Sequence, residues 1–314
     1  MKGLELAKEF YKEFGEPMLK EKFTDIFGYL ATGLVGSGSE CFGYDDDISQ
    51  DHDFEPAFCI FLPDESIIDR KTAFELERAY SALPTEYKGY KRSGTSAVGG
   101  NRHGVIRTSD FFDAKTGSPD GNLTTEQWLS LSDFFLAEAV NGEVFCDNYG
   151  EFTRIRESLK HYPQDIRLKK LAGNLLLMGQ SGQYNYSRCI ERGETAAAQL
   201  SLYEFVKSTI NAIFLINKKY VPYYKWSFRA LREISTECAE ISQILEYLIS
   251  SPNDESTSGD KTEIIEGVCL MLGMELKRCN ITESASSETE QQAYAVNDRI
   301  TDNRIRNMNI LCAV

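Results

Sequence analysis

The sequence lacks the features that mark several common classes of protein. It has only three histidines, and its eight cysteines include no Cys-x-x-Cys pair. A disulfide framework and a structural zinc site are therefore both disfavoured. No apolar run approaches the ~20 residues of a membrane span, and the charged, amphipathic stretch 1–9 is not a secretory signal. These absences predict a cytoplasmic protein with no membrane segment.

Basic residues are also in the minority. The chain has 34 lysines and arginines against 48 aspartates and glutamates, which gives a net charge of −14. A surface of this sign repels a long nucleic acid, although a local basic cluster can still hold a nucleotide. The charge therefore favours a small-molecule or protein partner, and nothing in the sequence indicates the oligomeric state.

The residue patterns divide the chain into two regions. Up to residue 152, segments with helical spacing alternate with short apolar strands, whereas later segments all show apolar residues three and four apart. We expect an α+β fold, with a mixed-sheet domain over 1–152 followed by an all-α helical bundle over 153–314. Within the first domain the patterns predict strands at 29–35, 51–62 and 104–108, a helix at 70–83, a loop at 85–102, a capping box at 124–127 and a hairpin at 142–152.

The first domain is organised around a small-residue turn and a pair of acids. The turn, Gly36-Ser37-Gly38-Ser39, follows a predicted strand, and small residues let backbone N–H groups approach a phosphate. Asp51 and Asp53 stand two apart on an extended segment, so their carboxylates point to one side. Two acids beside a phosphate-holding turn predict a divalent-metal site for nucleotide chemistry. The acidic run 45–47 is expected to be a solvated face.

Together these motifs resemble the nucleotidyltransferase superfamily of polymerase-β-like fold. The extended chain is similar, more closely, to a family built around a domain called DUF4037, through the stretches 36–46, 51–56, 142–145, 162–165 and 220–226. The resemblance implies a nucleotidyltransferase-like sheet domain. It also implies that Asp51 and Asp53 hold Mg²⁺ or Mn²⁺, that Gly36, Ser37, Gly38 and Ser39 cradle the triphosphate of an NTP, and that a third acid completes the site.

That third acid is not where the resemblance would place it. The strand at 105–108 contains Arg107 and no carboxylate. Asp110, just beyond it, is the candidate that we assign to catalysis, while Glu143 and Asp147 on the later strand remain alternatives. The third acid helps to deprotonate the acceptor hydroxyl, so turnover depends on its presence.

The helical half supplies cations that could complete a nucleotide site. Arg188 and Arg192 continue a polar helical stripe that includes Tyr184, and Lys225 lies in the aromatic segment 220–229. Arginine and lysine side chains neutralise phosphate charge in phosphoryl transfer. The alternative for the stripe is a hydrogen-bond network within the helices, and for the segment 220–229 an aromatic plug at a helix corner.

These observations predict an Mg²⁺-dependent nucleotidyltransferase with its site in a cleft between the two domains. It would move an NMP from an NTP to a hydroxyl of a small-molecule acceptor, neither of which the sequence identifies. The alternative is a non-catalytic nucleotide-binding or regulatory protein that retains the fold. A structural interaction protein is a third possibility, but it does not account for the turn together with the acid pair.

Overall fold

The chain folds into two compact units. The structure, a computed structural model, describes residues 1–48, 54–92, 102–254 and 256–314. The first unit comprises Met1–Leu123 and Phe135–Lys160, and the second comprises Thr124–Phe134 and His161–Val314. The first unit carries a small mixed sheet and the second is helical, as expected. Relative to the predicted boundary after residue 152, the first unit also takes the helix at 151–159, and the second also takes 124–134.

The sheets of the first unit contain six short strands within the described residues. They are β1 (Ala31–Leu34), β2 (Cys59–Leu62), β3 (Glu86–Tyr87), β4 (Tyr90–Lys91), β5 (Gly104–Arg107) and β6 (Glu143–Asp147). The main sheet has the order β5-β2-β1-β6, and β3 pairs with β4 alone. Strand β1 is antiparallel to β2 and β6, whereas β5 is parallel to β2. The end of β1 and the starts of β2, β5 and β6 therefore lie at the same end of the sheet.

Nine helices lie before residue 164 within the described residues, and the seventh of them belongs to the second unit. In chain order they are α1 (Gly3–Phe10), α2 (Glu16–Lys22), α3 (Thr24–Phe27), α4 (Ser39–Phe42), α5 (Arg70–Ser81), α6 (Thr108–Thr116), α7 (Thr125–Ser130), α8 (Asp133–Val140) and α9 (Glu151–Leu159). A π-helical turn, Tyr11–Gly15, links α1 to α2. The predicted capping box at the start of α7 is confirmed, because Thr124 and Gln127 exchange hydrogen bonds.

Alternation along β2 supplies the core on both faces of the sheet. Phe58, Ile60 and Leu62 are buried in one cluster with side chains of α1 and α5. Phe61 points the other way and stacks on Phe152 of α9, with ring centroids 4.0 Å apart. This period of two is what an apolar strand covered on both faces requires.

Four local predictions for the first unit are wrong. The strand predicted over 51–62 begins only at Cys59, and its residues 51–53, like residues 93–101 of the predicted loop, lie outside the described residues. The hairpin over 142–152 is instead a single strand, β6, whose partner is β1, and α9 begins at Glu151. The predicted loop 85–102 contains the β3–β4 pair. Asp45, predicted to be solvated, is buried, and its carboxylate accepts a 2.9 Å hydrogen bond from the N–H of Gly3 at the start of α1.

The second unit is built on two long buried helices, α10 and α12. Its helices after α9 are α10 (Gln164–Met178), α11 (Ser187–Glu191), α12 (Thr195–Ile216), α13 (Tyr224–Arg232), α14 (Thr236–Ser250), α15 (Ser258–Arg278), α16 (Thr289–Asn297) and α17 (Asn303–Arg306). A π-helical segment, Gly179–Tyr186, continues α10. Within it Gly182 lies against the Phe205 ring, where a Cβ atom would come within 2.3 Å. None of the helices in the described ranges is long and apolar enough to cross a membrane.

Candidate functional site

The turn after β1 has a backbone that glycine alone adopts readily. Gly36 has a φ of +101° and Gly38 a φ of +124°, and both values lie where a side chain would strain the backbone. A Cβ atom on Gly38 would also lie 1.9 Å from Nη2 of Arg102. The second glycine thus serves two purposes, since it permits the turn and admits the arginine.

Asn141 fixes the first residue of the turn. Its Oδ1 accepts from the N–H of Gly36 at 2.8 Å, and its Nδ2 donates to the Gly36 carbonyl at 2.7 Å. Within the described part of the chain, the next two N–H groups, of Ser37 and Gly38, have no acceptor. The clamp therefore holds the turn in place while leaving two adjacent N–H donors uncommitted.

Two cations flank the turn, and each also contacts a carboxylate. Lys115 of α6 donates to Ser37 Oγ at 2.8 Å and pairs with Glu138 of α8 at 2.5 Å. Ser37 Oγ in turn donates to Glu138 at 2.9 Å. Arg102 donates to the Ser37 carbonyl and to Glu40 Oε1, both at 2.6 Å. Positive charge thus lies beside the turn, and acids within the same unit balance it.

Two buried thiols lie under the turn. Cys41 and Cys59 are both buried. Burial raises the pKa of Cys59 to about 12 and that of Cys41 well above its ordinary value. The Cys59 thiol donates to the carbonyl of Arg102 at 3.3 Å. These thiols stay protonated near neutral pH, so they serve as packing groups rather than as metal ligands or nucleophiles.

The predicted metal ligands Asp51 and Asp53 lie outside the described residues. Among the residues described, no group of three or more His, Cys, Asp or Glu side chains could hold a metal ion. Mg²⁺ needs only one or two protein carboxylates when a nucleotide supplies the other oxygens, so the donor chemistry of the acid pair fits that ion. The assignment of the metal to these two residues stays a prediction.

The three candidates for the third acid occupy different places. Asp110 is exposed in the first turn of α6, which follows the end of β5, and the Gly36 turn follows β1 at the opposite edge of the sheet. Asp147 accepts hydrogen bonds from the N–H groups of Gly150 and Thr153, so its carboxylate is committed to the start of α9. Glu143 pairs with Lys8 and lies beside Leu34, two residues before the turn.

Sequence reasoning missed several groups at this edge of the sheet. Glu138, Asn141, Lys115 and Arg102 all contact the turn, yet they lie 65 to 105 residues from their partners in it along the chain. His103, at the start of β5, is 3.0 Å from the carboxylate of Glu55. No local pattern marks any of them, because each is brought to the turn by strand pairing or helix packing.

The cations predicted in the helical half lie in the second unit. The guanidinium of Arg188 stacks on the Tyr184 ring at 4.0 Å and donates to its hydroxyl at 2.5 Å. Arg192, at the end of α11, is exposed. Lys225 lies over the ring of Trp226 at 5.1 Å and is exposed. Within the stripe Arg188 and Tyr184 therefore contact each other, and the neighbouring Gln183, outside the stripe, bonds Thr289 and Glu266.

The comparisons with known proteins connect this chain to one domain family. Residues 128–227 match the model of a domain of unknown function, DUF4037. The match covers about a third of the chain and includes α8 to α12 and residues 220–227 of the aromatic segment, but neither the Gly36 turn nor the acid pair. Searches of curated proteins and of solved structures gave no match.

Proposed function

We propose that this chain is an Mg²⁺-dependent nucleotidyltransferase of the polymerase-β-like kind, which moves an NMP from an NTP to a hydroxyl of a small molecule. One observation carries the proposal. The turn after β1 presents the uncommitted N–H groups of Ser37 and Gly38 beside the ammonium group of Lys115. Adjacent backbone donors with a nearby cation suit phosphate oxygens.

The strand arrangement supports the same reaction. In chain order, β1, the turn, the acid pair and β2 follow one another, and β2 pairs with β1 and β5. Asp51 and Asp53 would hold the Mg²⁺, which when bound neutralises phosphate charge. Ser37, Gly38 and Ser39 would contact the triphosphate. Gly36 would act through its backbone conformation, because its N–H is already bonded to Asn141.

The proposed transfer is an in-line displacement. The acceptor oxygen forms a bond to the α-phosphorus while the bond from that phosphorus to the bridging oxygen breaks. Pyrophosphate leaves with the electron pair, and the hydroxyl proton passes to a carboxylate. The sequence assigns that carboxylate to Asp110, which follows the end of β5 away from the Gly36 turn, whereas Glu143, the alternative, lies at the same end of the sheet as the turn. Arg188, Arg192 and Lys225, predicted from the sequence to bind phosphate oxygens, belong to the second unit, and their role stays a prediction.

A nucleotide-binding protein without transfer activity is the second candidate. The observation that favours it is the state of the later acids, since Asp147 is committed to capping α9 and Glu143 is paired with Lys8. Such a protein would still use the turn and the acid pair, and would bind an NTP without releasing pyrophosphate.

The test is calorimetric titration of the full chain with each of the four NTPs, with and without Mg²⁺. The wild type should bind at least one NTP only when Mg²⁺ is present. The double variant Asp51→Asn with Asp53→Asn should lose that binding by about 100-fold or more, because two carboxylate ligands are gone. A matched control, Asp46→Asn with Asp47→Asn, removes the same charge from the same acidic stretch and should bind normally.

Pyrophosphate release against a panel of small hydroxyl compounds separates the two candidates. Release that depends on the acid pair supports the transferase. Mg²⁺-dependent binding with no release from any acceptor favours the regulatory protein. Wild-type behaviour of the Asp51→Asn, Asp53→Asn variant would contradict both.

A further inference from the structure

The second unit contains a cavity of about 690 Å³, a volume in the range of small-molecule sites. All of its lining residues belong to this unit, and most fall within the segment 128–227. The apolar part of the wall is formed by α10, α12 and the segments around them, through Leu131, Leu177, Val206, Ile210, Leu215 and Val221. The site proposed for the nucleotide uses none of these side chains.

Aromatic side chains line the same cavity while remaining open to solvent. Tyr203, Tyr223 and Tyr224 are 58%, 43% and 72% exposed. The rings of Tyr223 and Tyr224 lie 4.5 Å apart, and Phe134 meets Tyr223 edge-on at 5.8 Å. Exposed rings grouped around a concave apolar wall are typical of a ligand site rather than of a solvated surface.

Lys170 is the unusual polar group in this wall. It is only 5% exposed, and an ammonium group carries three donors. Its Nζ makes one hydrogen bond, to the Leu131 carbonyl at 3.2 Å, and lies 3.5 Å from Asp133 Oδ1. Two other buried lysines, Lys169 and Lys261, each donate to three oxygens at 2.7 to 3.2 Å. Lys170 alone of these three has donor capacity left over.

The charges around Lys170 cancel. Asp133 balances its ammonium group, and Lys207, the other cation in the wall, lies 3.6 Å from Glu204. Tyr162 donates to Asp133 Oδ1 at 2.7 Å, and burial raises the pKa of that tyrosine, so it remains a donor. Oδ2 of Asp133 accepts no hydrogen bond from the described residues. The polar end of the cavity therefore offers a spare donor and a spare acceptor without net charge.

Asn211 adds a second pair of such groups. Its Nδ2 donates to Asn174 Oδ1 at 3.1 Å. Its Oδ1 and its second N–H have no partner among the residues that the structure describes. A hydroxyl group both accepts and donates, so it can bond a spare donor and a spare acceptor together.

From this geometry we infer that the cavity is a binding site for an uncharged, apolar alcohol or phenol. Its hydroxyl accepts from Lys170 and donates to Asp133, and its apolar body lies along the aliphatic and aromatic wall. A carboxylate in the same place would meet the Asp133 charge, and an ammonium group would meet Lys170. The inference concerns the second unit alone and does not depend on the proposed nucleotidyl transfer.

Three probes with one body and different charges test the inference. These are 1-octanol, octanoate and octylammonium, titrated into the full chain at pH 7 by calorimetry. We expect 1-octanol to bind about tenfold or more tighter than either ion, because only the hydroxyl satisfies both partners. No binding of 1-octanol, or binding of an ion equal to or tighter than it, would overturn the inference.

Variants then locate the binding. Lys170→Met keeps the apolar stem but removes the donor, and should weaken 1-octanol binding about tenfold. Ile210→Trp should weaken binding about tenfold or more by projecting a larger side chain into the cavity, while Lys277→Met, an exposed change on α15, should have no effect. Unchanged affinity in a folded Ile210→Trp variant would place the probe elsewhere and overturn the assignment.

A measurement on the wild type covers the case in which both cavity variants unfold. Cys312 lines the cavity and is exposed, so saturating 1-octanol should slow its alkylation by iodoacetamide about fivefold or more. Alkylation of Cys189, an intermediate-burial thiol outside the lining, is the internal control. Equal rates at Cys312 with and without 1-octanol would contradict the site.

Discussion

The cations beside the turn of the first unit and the buried lysine in the cavity of the second unit differ in how many hydrogen-bond partners the protein gives them. At the turn, Lys115 and Arg102 each contact both Ser37 and a carboxylate of the protein. In the cavity, Lys170 is more deeply buried yet makes a single hydrogen bond. A phosphate that enters the turn must therefore exchange with carboxylates, whereas a hydroxyl that enters the cavity can use the donor capacity that Lys170 and the acceptor capacity that Asp133 leave unfilled.

The largest change in stability that we expect comes from a substitution in the turn. Gly38→Ala places a side chain at φ +124° and ψ 148°, which is a conformation for glycine alone, and pushes it against Arg102. It should lower the free energy of unfolding by about 3 kcal/mol, measured by urea denaturation. The matched control is Gly43→Ala, at φ +72° with open space around the new Cβ, where about 1 kcal/mol is expected. Equal losses would show that Arg102 and the backbone at Gly38 impose no special constraint.

Substitutions of two neighbouring lysines, Lys169 and Lys170, test whether Lys170 contributes less to stability than a lysine with a full set of partners. Lys169→Met removes a donor from three oxygens, those of Asn297, Arg306 and Met308, of which only the Arg306 carbonyl keeps another donor, Asn297 Nδ2, and should cost about 3 kcal/mol of unfolding free energy. Lys170→Met removes one hydrogen bond and one longer ion pair, and should cost about 1 kcal/mol. If urea denaturation gave the reverse order, Lys170 would be a structural residue and not a ligand-binding one.

The smallest effect concerns thiol chemistry and leaves the fold intact. Cys59, beneath the turn, has its pKa raised by burial to about 12, so about one thiol in ten thousand is ionised at pH 8. Cys312, in the cavity wall, is exposed. Peptide mapping after iodoacetamide treatment at pH 8 should show Cys312 modified at least tenfold faster than Cys59. The Cys59 rate should rise about tenfold with each pH unit and level off only near pH 12, and comparable rates at pH 8 would contradict the difference in burial.

Sequence patterns located the elements whose signals are local. The strand at 104–108, the helix at 70–83 and the capping box of Thr124 and Gln127 correspond to β5, α5 and the start of α7. Of the strand predicted at 51–62, the apolar end is confirmed as the buried strand β2, which begins at Cys59. Each of these depends on periodicity or on a side chain bonding to backbone three residues away, and such features can be seen in the letters alone.

The rest depends on contacts between distant parts of the chain. The 142–152 segment has the composition of a hairpin, yet its strand pairs with β1, more than 100 residues earlier. Asp45 lies in an acidic run typical of a solvated face, but it is buried, where its carboxylate accepts a hydrogen bond from the N–H of Gly3. Lys170 stands among apolar residues of α10, and its unused donors become visible only when its neighbours in space are known.

The clamp of Asn141 on Gly36 has a consequence for the order in which the protein folds. The two residues are separated by 105 positions, and Gly142 similarly bonds the carbonyl of Cys41. Contacts this distant in the chain form slowly, because a long loop must close before they yield any stabilisation. During synthesis the turn therefore cannot reach its final shape until the chain has been made beyond residue 142, so the segment 124–134 emerges before the first unit is complete.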